Sequence, residues 1–539
     1  MHWTDYPAPP TRHEAHFGRV MRCFAARPAH LNAAFAASVA RFPERDALVA
    51  GAARLTYREL AARAATVAAN LAAAGIGRGD RVALLLPNGV EFVEVMLGAL
   101  RLGAVVVPVN VREQRPELAY LLGQCGARAI VFDAALADRV PEAGEVPALA
   151  ARFAAGGAVA GARDYGELLR PAPSLPAAEV GEEDVAVILY TSGTTGHPKG
   201  AMLTHFNVVH SVLHFRVCMG LAETDRSLLA VPASHVTGLV AILWSMLAAG
   251  GCTLILAEFR PADFLALAAA ERMTHTLVVP AIYNLLLRDA SFARHDLSAW
   301  RIGGFGGAPM PEGTIRALAE RLPGLALVNA YGATETTSPA TIMPIGLQAG
   351  HLASVGVAVP CADLRVMDDA GRELPPGAEG EIWIAGPMVV PGYWDDAQAT
   401  AREFAGGYWK SGDLGTIDAE GFVRILDRKK DMVNRGGYKV FGAEVESALS
   451  LHPAVAESAV VARPDPVLGE KVEAFVVLRA PGAASAEELR AHCARRLADY
   501  KVPDFVTFLD EPLPRNANGK VLKRALRGRG DAPPGRMQG

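Results

Sequence analysis

Two textures alternate along this chain. Short apolar runs, among them Val82-Ala83-Leu84-Leu85-Leu86, Val105-Val106-Val107-Pro108-Val109 and Thr253-Leu254-Ile255-Leu256, are separated by longer Ala- and Leu-rich stretches of helical period. Runs of four or five apolar residues suit strands buried on both faces, and their alternation with helices predicts a layered α/β architecture. Thr56-Tyr57-Arg58-Glu59 has the spacing of a capping box, so a helix is expected to open there and run toward Ala74, with Gly75 as its stop. From about residue 350 the texture turns to Gly, Pro and period-2 segments such as Gly380-Glu381-Ile382-Trp383-Ile384, which predicts a smaller β-rich lobe. A dense charge run, Asp427-Arg428-Lys429-Lys430-Asp431, is followed by a fresh pattern of strands and a second capping box at Ser485-Ala486-Glu487-Glu488. A domain boundary is placed at that run.

Length and composition narrow the class. At 539 residues the chain exceeds what one hydrophobic core sustains, so at least two domains are expected. With 51% hydrophobic and 20% charged residues and a net charge of -4, it has no electrostatic case for nucleic acid as a partner. One long run without a charged residue, Val236 to Ala257, approaches membrane-spanning length but is interrupted by Gly238, Gly250 and Gly251. A buried helix followed by a buried strand is expected there, not membrane insertion. Six cysteines lie scattered without CxxC spacing, which indicates neither a zinc site nor a disulfide framework and suits a reducing compartment. The N-terminus has no basic region followed by an apolar one, so no signal peptide is expected and the location is read as cytoplasmic.

The chemistry begins at Tyr190-Thr191-Ser192-Gly193-Thr194-Thr195-Gly196-His197-Pro198-Lys199-Gly200, directly after the apolar strand Val185-Ala186-Val187-Ile188-Leu189. Glycines let backbone N–H groups converge, hydroxyls add donors, and Lys199 supplies compact positive charge, which is what a polyphosphate needs. Two residues separate Gly196 from Lys199 and no Gly-Lys-Ser/Thr follows, so this is not a Walker A loop.

From about Leu55 to Arg524 the sequence resembles the adenylate-forming superfamily of acyl-CoA synthetases, non-ribosomal peptide adenylation domains and firefly-type luciferases. The phosphate loop is its first ordered motif. Asn329-Ala330-Tyr331-Gly332-Ala333-Thr334-Glu335-Thr336 resembles the adenine and metal motif. Tyr331 offers a flat face for stacking, Asn329 an amide at the adenine edge, Thr334 a hydroxyl toward the α-phosphate, and Glu335 a hard oxygen ligand for Mg2+. The resemblance implies Thr191 and Glu335 as the metal ligands. Gly306-Gly307-Ala308-Pro309 is similar to the small-residue segment that lets nucleotide and acyl chain approach the backbone. Tyr408-Trp409-Lys410-Ser411-Gly412-Asp413-Leu414-Gly415 resembles the ribose motif, with Asp413 accepting from the ribose hydroxyls and Arg428 joining it.

Leu513-Pro514-Arg515-Asn516-Ala517-Asn518-Gly519-Lys520-Val521 is similar to the closing motif, with Lys520 as its catalytic lysine. A carboxylate attacking an α-phosphate brings two anions together, and a lysine between them offsets the repulsion in the transition state. The same lysine would obstruct a thiol in the second step. The resemblance therefore implies an N-terminal adenylation domain over 1–427, a hinge at 428–432 with Lys430 as hinge residue, and a mobile C-terminal domain over 433–539. Rotation would present Gly436-Gly437-Tyr438-Lys439-Val440, where glycines let a pantetheine arm lie close to the backbone. Gly442 stands where many relatives have proline before a helix, which loosens that helix start and bears on the thiol step.

The resemblance implies ATP and Mg2+, with coenzyme A as co-substrate, and an ATP-dependent carboxylic acid:CoA ligase. Pro232-Ala233-Ser234-His235-Val236-Thr237-Gly238 resembles the segment guarding the carboxylate side of the acyl pocket, where His235 either gates the pocket or is a buried, satisfied histidine. No Asp or Glu occurs from Val231 to Trp244, which disfavours an amino acid. Val278 to Asn284 and Gly303 to Pro311 also lack charged side chains, so an apolar monocarboxylic acid is expected, aryl, alicyclic or medium-chain aliphatic, with Phe305 and Ile282 shaping the pocket. A carrier-protein phosphopantetheine stays open as acceptor beside coenzyme A, and a homodimer is neither required nor excluded. A non-catalytic ATP- or acyl-binding protein is disfavoured by the intact Glu335, Asp413, Arg428 and Lys520.

Overall fold

The apolar runs become the inner strands of two large sheets. The structure, a computed structural model, describes residues 9–191, 198–308, 310–515, 521–527 and 529. One sheet has seven strands in the order Lys199–Thr204, Val185–Thr191, Val105–Pro108, Arg81–Leu85, Ala127–Asp133, Ala151–Ala155, Arg163–Asp164. All its neighbours run parallel except the pair Val185–Thr191 and Lys199–Thr204, which is an antiparallel hairpin. The second sheet has nine strands in the order Val357–Ala358, Thr341–Ile342, Ala326–Tyr331, Ile302–Phe305, His275–Val278, Arg226–Leu229, Cys252–Ile255, Asp46–Ala50, Ala53–Thr56. Its inner strands are parallel and its edges antiparallel. Residues 363–428 supply a five-stranded sheet of Asp363–Met367, Gly380–Ala385, Phe404–Ala405, Tyr408–Ile417 and Val423–Arg428. Within it Ile382 and Ile384 are fully buried, as the period-2 pattern predicts.

Local signals hold where they were sharp. The helix Tyr57–Ala73 opens on Thr56, whose hydroxyl accepts from Glu59 N–H while the Glu59 carboxylate accepts from Thr56 N–H. Gly75 beyond it adopts φ +85°, a left-handed value that only glycine takes without strain. The uncharged run resolves into a continuous helical segment over Thr237–Trp244 and Ser245–Ala249, a left-handed Gly250 and the strand Cys252–Ile255. Its residues 239–247 are buried in the protein core. Among the described residues no helix is long and apolar enough to cross a membrane.

The chain forms two compact units. The larger comprises Met1–Leu364, Trp383–Lys410 and Glu420–Val423, and the smaller Arg365–Ile382, Ser411–Ala419 and Arg424–Gly539. The architecture is thus mixed α/β, with a large N-terminal and a small C-terminal domain. In the smaller unit a sheet ordered Tyr438–Val440, Val433–Arg435, Gly469–Leu478, Val455–Asp465 gains Phe505–Phe508 beside Gly469–Leu478. Helices Gly442–Ser450 and Ala486–Ala494 accompany this sheet, and Val433, Val445, Leu449, Val460, Val472, Val476 and Leu489 form its core. The second capping box is present at Ser485 and Glu488.

Candidate active site

The phosphate loop is carried by the hairpin at the edge of the seven-stranded sheet. Strand Val185–Thr191 delivers the chain and Lys199–Thr204 returns it, with Thr191 and Lys199 opposite one another in register. Buried Ile188 and Leu189 anchor the outgoing strand, and a side chain on Gly200 would begin 2.7 Å from Ile188 Cγ2. The Tyr190 hydroxyl donates to Gln124 and lies 3.1 Å from the Leu121 carbonyl, which ties the strand to the neighbouring helix Arg115–Gln124. Ser192, Gly193, Thr194, Thr195 and Gly196 lie outside the described residues, as do Pro309 and Lys520.

The segment Asn329 to Thr336, expected to serve adenine and metal, starts at the carboxyl end of one of two neighbouring parallel strands of the nine-stranded sheet, where doubly wound folds take up nucleotides. Asn329 on Ala326–Tyr331 pairs with Phe305 on Ile302–Phe305, and beyond them lie Gly332 and Gly306-Gly307-Ala308. These glycines permit close approach. A side chain on Gly306 would begin 2.3 Å from the Ala330 carbonyl oxygen, one on Gly332 1.4 Å from that of Ser338, and Gly307 adopts φ +76°. Asn329 donates its amide to the Ser354 carbonyl at 3.3 Å, and Tyr331 opposes Thr341 across the sheet edge. Thr334 and Glu335 follow in the short turn Thr334–Thr336, both buried.

Glu335 is held in a polar network that reaches the base of the phosphate loop. The Tyr393 hydroxyl lies 2.9 Å from Glu335 Oε1 and 2.6 Å from Glu403 Oε2. Glu403 in turn receives Lys199 Nζ at 2.5 and 2.6 Å, and Lys199 also stands 4.3 Å over the Tyr393 ring. Lys199, expected to lend charge to phosphate, is thus buried and ion-paired to Glu403. Burial pushes the Glu403 carboxyl up, but hydrogen bonds from Lys199, Tyr393 and Arg402 outweigh it and hold the group below its ordinary value. Burial raises Glu335, and its own backbone N–H, the Tyr393 bond and Lys199 only partly offset it. A phenol has one proton, so Tyr393 serves one carboxylate at a time. When it donates to Glu403, buried Glu335 keeps only its own backbone N–H and the more distant charge of Lys199, and a hard divalent cation would supply the positive charge it lacks. These residues fit Mg2+.

His235 accepts from the Thr237 backbone N–H through Nδ1 at 3.3 Å, and burial lowers its pKa, so it is a neutral imidazole at neutral pH. The neighbouring Gly238 is obligatory, since a side chain there would begin 2.3 Å from the Pro232 carbonyl oxygen. Phe305 and Ile282 are both buried.

In the smaller unit Asp413 is buried on Tyr408–Ile417 and paired with Arg428 Nε at 2.6 Å. The charge-assisted pair with the guanidinium fixes the orientation of the carboxylate. Lys430 follows two residues later, where partial burial lowers its pKa. Gly436 and Gly437 adopt φ +60° and +93°, and Tyr438 is exposed and stacked on Tyr500 with ring centroids 4.7 Å apart.

Residues 35–394 match the AMP-binding enzyme family and residues 444–520 match its AMP-binding enzyme C-terminal domain. The chain belongs to the AMP-binding enzyme family. A feruloyl-CoA synthase of Amycolatopsis sp is 38% identical over 496 residues, 90% of this chain and 96% of that protein. The long-chain-fatty-acid–CoA ligase FadD13 of Mycobacterium tuberculosis is 37% identical over 479 residues, 88% and 93% of the respective chains. Among solved structures, o-succinylbenzoate CoA synthetase from Bacillus subtilis with its acyl-adenylate intermediate superposes with a TM-score of 0.83 at 31% identity, covering 94% of this chain and 99% of the other. The same protein with ATP and magnesium gives 0.82.

Two residues that the structure of this AMP-binding enzyme brings into the Glu335–Lys199 network escaped sequence reasoning. Tyr393 and Glu403 lie 58 and 68 positions from Glu335, in a stretch legible only as β-rich. Their one local signal is Gly392, whose φ of +157° and close fit against the Thr400 side chain mark a special turn just before Tyr393.

Proposed function

We propose that this AMP-binding enzyme couples an apolar monocarboxylic acid, aryl, alicyclic or medium-chain aliphatic, to coenzyme A in the cytoplasm. It is an AMP-forming acid–CoA ligase: ATP and the acid give acyl-AMP and pyrophosphate, and the thiol then gives acyl-CoA and AMP. Relatives that span nine-tenths of the chain are CoA ligases for aryl and fatty acids. The observation that carries the reading is the buried Glu335, held by Tyr393 next to the Lys199–Glu403 pair at the base of the phosphate loop. Glu335 and Thr191 would hold Mg2+, which would supply charge to neutralise the phosphates. The chain's own groups do the rest. Thr334 reaches the α-phosphate, Tyr331 and Asn329 hold adenine, Asp413 with Arg428 holds ribose, and Lys520 offsets the repulsion between carboxylate and phosphate. Residues 428–432 serve as the hinge between half-reactions, and Gly436, Gly437 and Tyr438 receive the pantetheine arm. The charge-free walls and the neutral His235 favour an apolar acid. The six cysteines, all free and buried, suit a reducing compartment.

The test is pyrophosphate release from ATP over aliphatic, aryl and dicarboxylic acids, with and without coenzyme A, for wild type and Lys520→Ala. Release should depend on an apolar acid, multiply with coenzyme A and fall by ~100-fold or more in the variant. Preference for a dicarboxylate sinks the acid class, and release indifferent to coenzyme A moves the acceptor to a carrier protein.

A further inference from the structure

The residues on either side of 516–520 are joined within the smaller unit. Arg515 and Val521 form a β-bridge, and the Leu522 N–H donates to the Pro514 carbonyl at 2.7 Å. Before the segment Leu513 is buried, and after it Leu526 is buried in the same apolar cluster with Phe475, Ala459 and Val461. Arg515 pairs with Glu457 at 3.0 Å. Three residues past Lys520, the Lys523 ammonium is drawn inside, 2.8 Å from Glu446, its side chain 16% exposed. Glu446 also accepts from the Val460 N–H at 2.7 Å, so its position is set by the sheet.

The Lys523 ammonium has a second acidic neighbour that leads to the hinge. A side chain on Gly442 would begin 3.1 Å from Lys523 Nζ and 3.3 Å from Asp427 Oδ2, so both atoms border the space that glycine leaves open. Asp427 accepts from the Arg428 and Ala443 N–H groups and stands at the mouth of the hinge run. Arg527, one turn beyond Lys523, donates to the Lys430 carbonyl at 2.8 Å and pairs with Asp431 at 3.2 Å. An ammonium among carboxylates costs desolvation that a solvated tail would avoid, and here Glu446, Asp427 and Asp431 outweigh that cost and raise the Lys523 pKa. The pairing therefore uses burial for placement.

We propose that Lys523 is a positioning residue for the reaction assigned to Lys520: through Glu446 and Asp427, with Arg527 as a second tie, it fixes residues 521–527 against the hinge run. This rests on the reading of Lys520 as the adenylation lysine. It also bears on Gly442: a side chain there would press on the ammonium and on the Asp427 carboxylate.

The half-reactions separate placement from stability. Adenylation is read as acid-dependent pyrophosphate exchange, and thiolation as acyl-CoA formation from supplied acyl-AMP, which does not need Lys520. Lys523→Met should lower adenylation by about 100-fold, the loss expected from misplacing a catalytic group by about 1 Å, while thiolation stays within about 3-fold of wild type. Lys523→Arg should restore most of the adenylation. Arg527→Ala, a milder change at the surface, should shift the ratio of the two half-reactions in the same direction by about 10-fold. An unchanged ratio in both Lys523→Met and Arg527→Ala, or losses that track unfolding in both half-reactions alike, overturns the proposal. Lys520→Ala is the control: if it leaves adenylation intact, the reading of Lys520 fails, whereas its collapse alongside a normal Lys523→Met overturns only the tie.

Discussion

Tyr393→Phe is the sharpest probe of the site, because it removes one oxygen and little else. The ring's edge-on contact with Phe404 at 5.7 Å and its face beneath Lys199 at 4.3 Å survive in phenylalanine. What is lost is the hydroxyl between Glu335 and Glu403. A hydrogen bond to a charged acceptor contributes about 1.5–3 kcal/mol, which corresponds to roughly tenfold to a hundredfold in kcat/KM if the bond orients Glu335 in the transition state. Pyrophosphate release measured against Mg2+ concentration should show that loss, with half-saturation moved to higher Mg2+. Lys199 still satisfies Glu403, so the heat-unfolding midpoint should change little. The double variant with Glu335→Gln decides the route: if the hydroxyl acts through Glu335, the two losses fall well short of additive. A variant within twofold of wild type at every Mg2+ concentration, or fully additive losses, refutes the reasoning.

Two further outcomes test the fold beneath the site. Gly332→Ala places a methyl carbon against the Ser338 carbonyl, backbone that cannot rotate away, and should cost about 3 kcal/mol or more, seen as a lower unfolding midpoint and loss of ATP-dependent stabilisation; an unchanged midpoint contradicts the packing. Burial lowers the pKa of His205 and His275 to about 4 and of His210 and His214 to about 3. Their folded values lie below the unfolded value near 6.5, so their stabilisation is complete above that pH and is lost as pH falls toward 4, by roughly 2 kcal/mol each at pH 5. Thermal unfolding should be flat above pH 6.5 and fall steadily below it; a midpoint constant from pH 7 to 5 removes the argument.

Much of this protein is written locally. Capping boxes at Thr56 and Ser485, the left-handed Gly75, and apolar runs such as Val105–Pro108 depend on neighbours within a few positions, so period and spacing suffice to read them. The same holds for Asp413 and Arg428, whose charges and motif order marked them before their 2.6 Å pair was seen. The sequence by itself therefore determined the α/β class and the order of the chemical motifs. Only the tertiary structure decided what the charges do. Lys199 spends its charge on Glu403, Tyr393 stands between two carboxylates, and Lys523 turns inward to Glu446 instead of trailing in water. Each partner lies tens of residues away, and neither helical nor strand periodicity carries information across that distance. Coulomb interactions act through space, so their partners exist only once the sheets have brought them within a few ångströms.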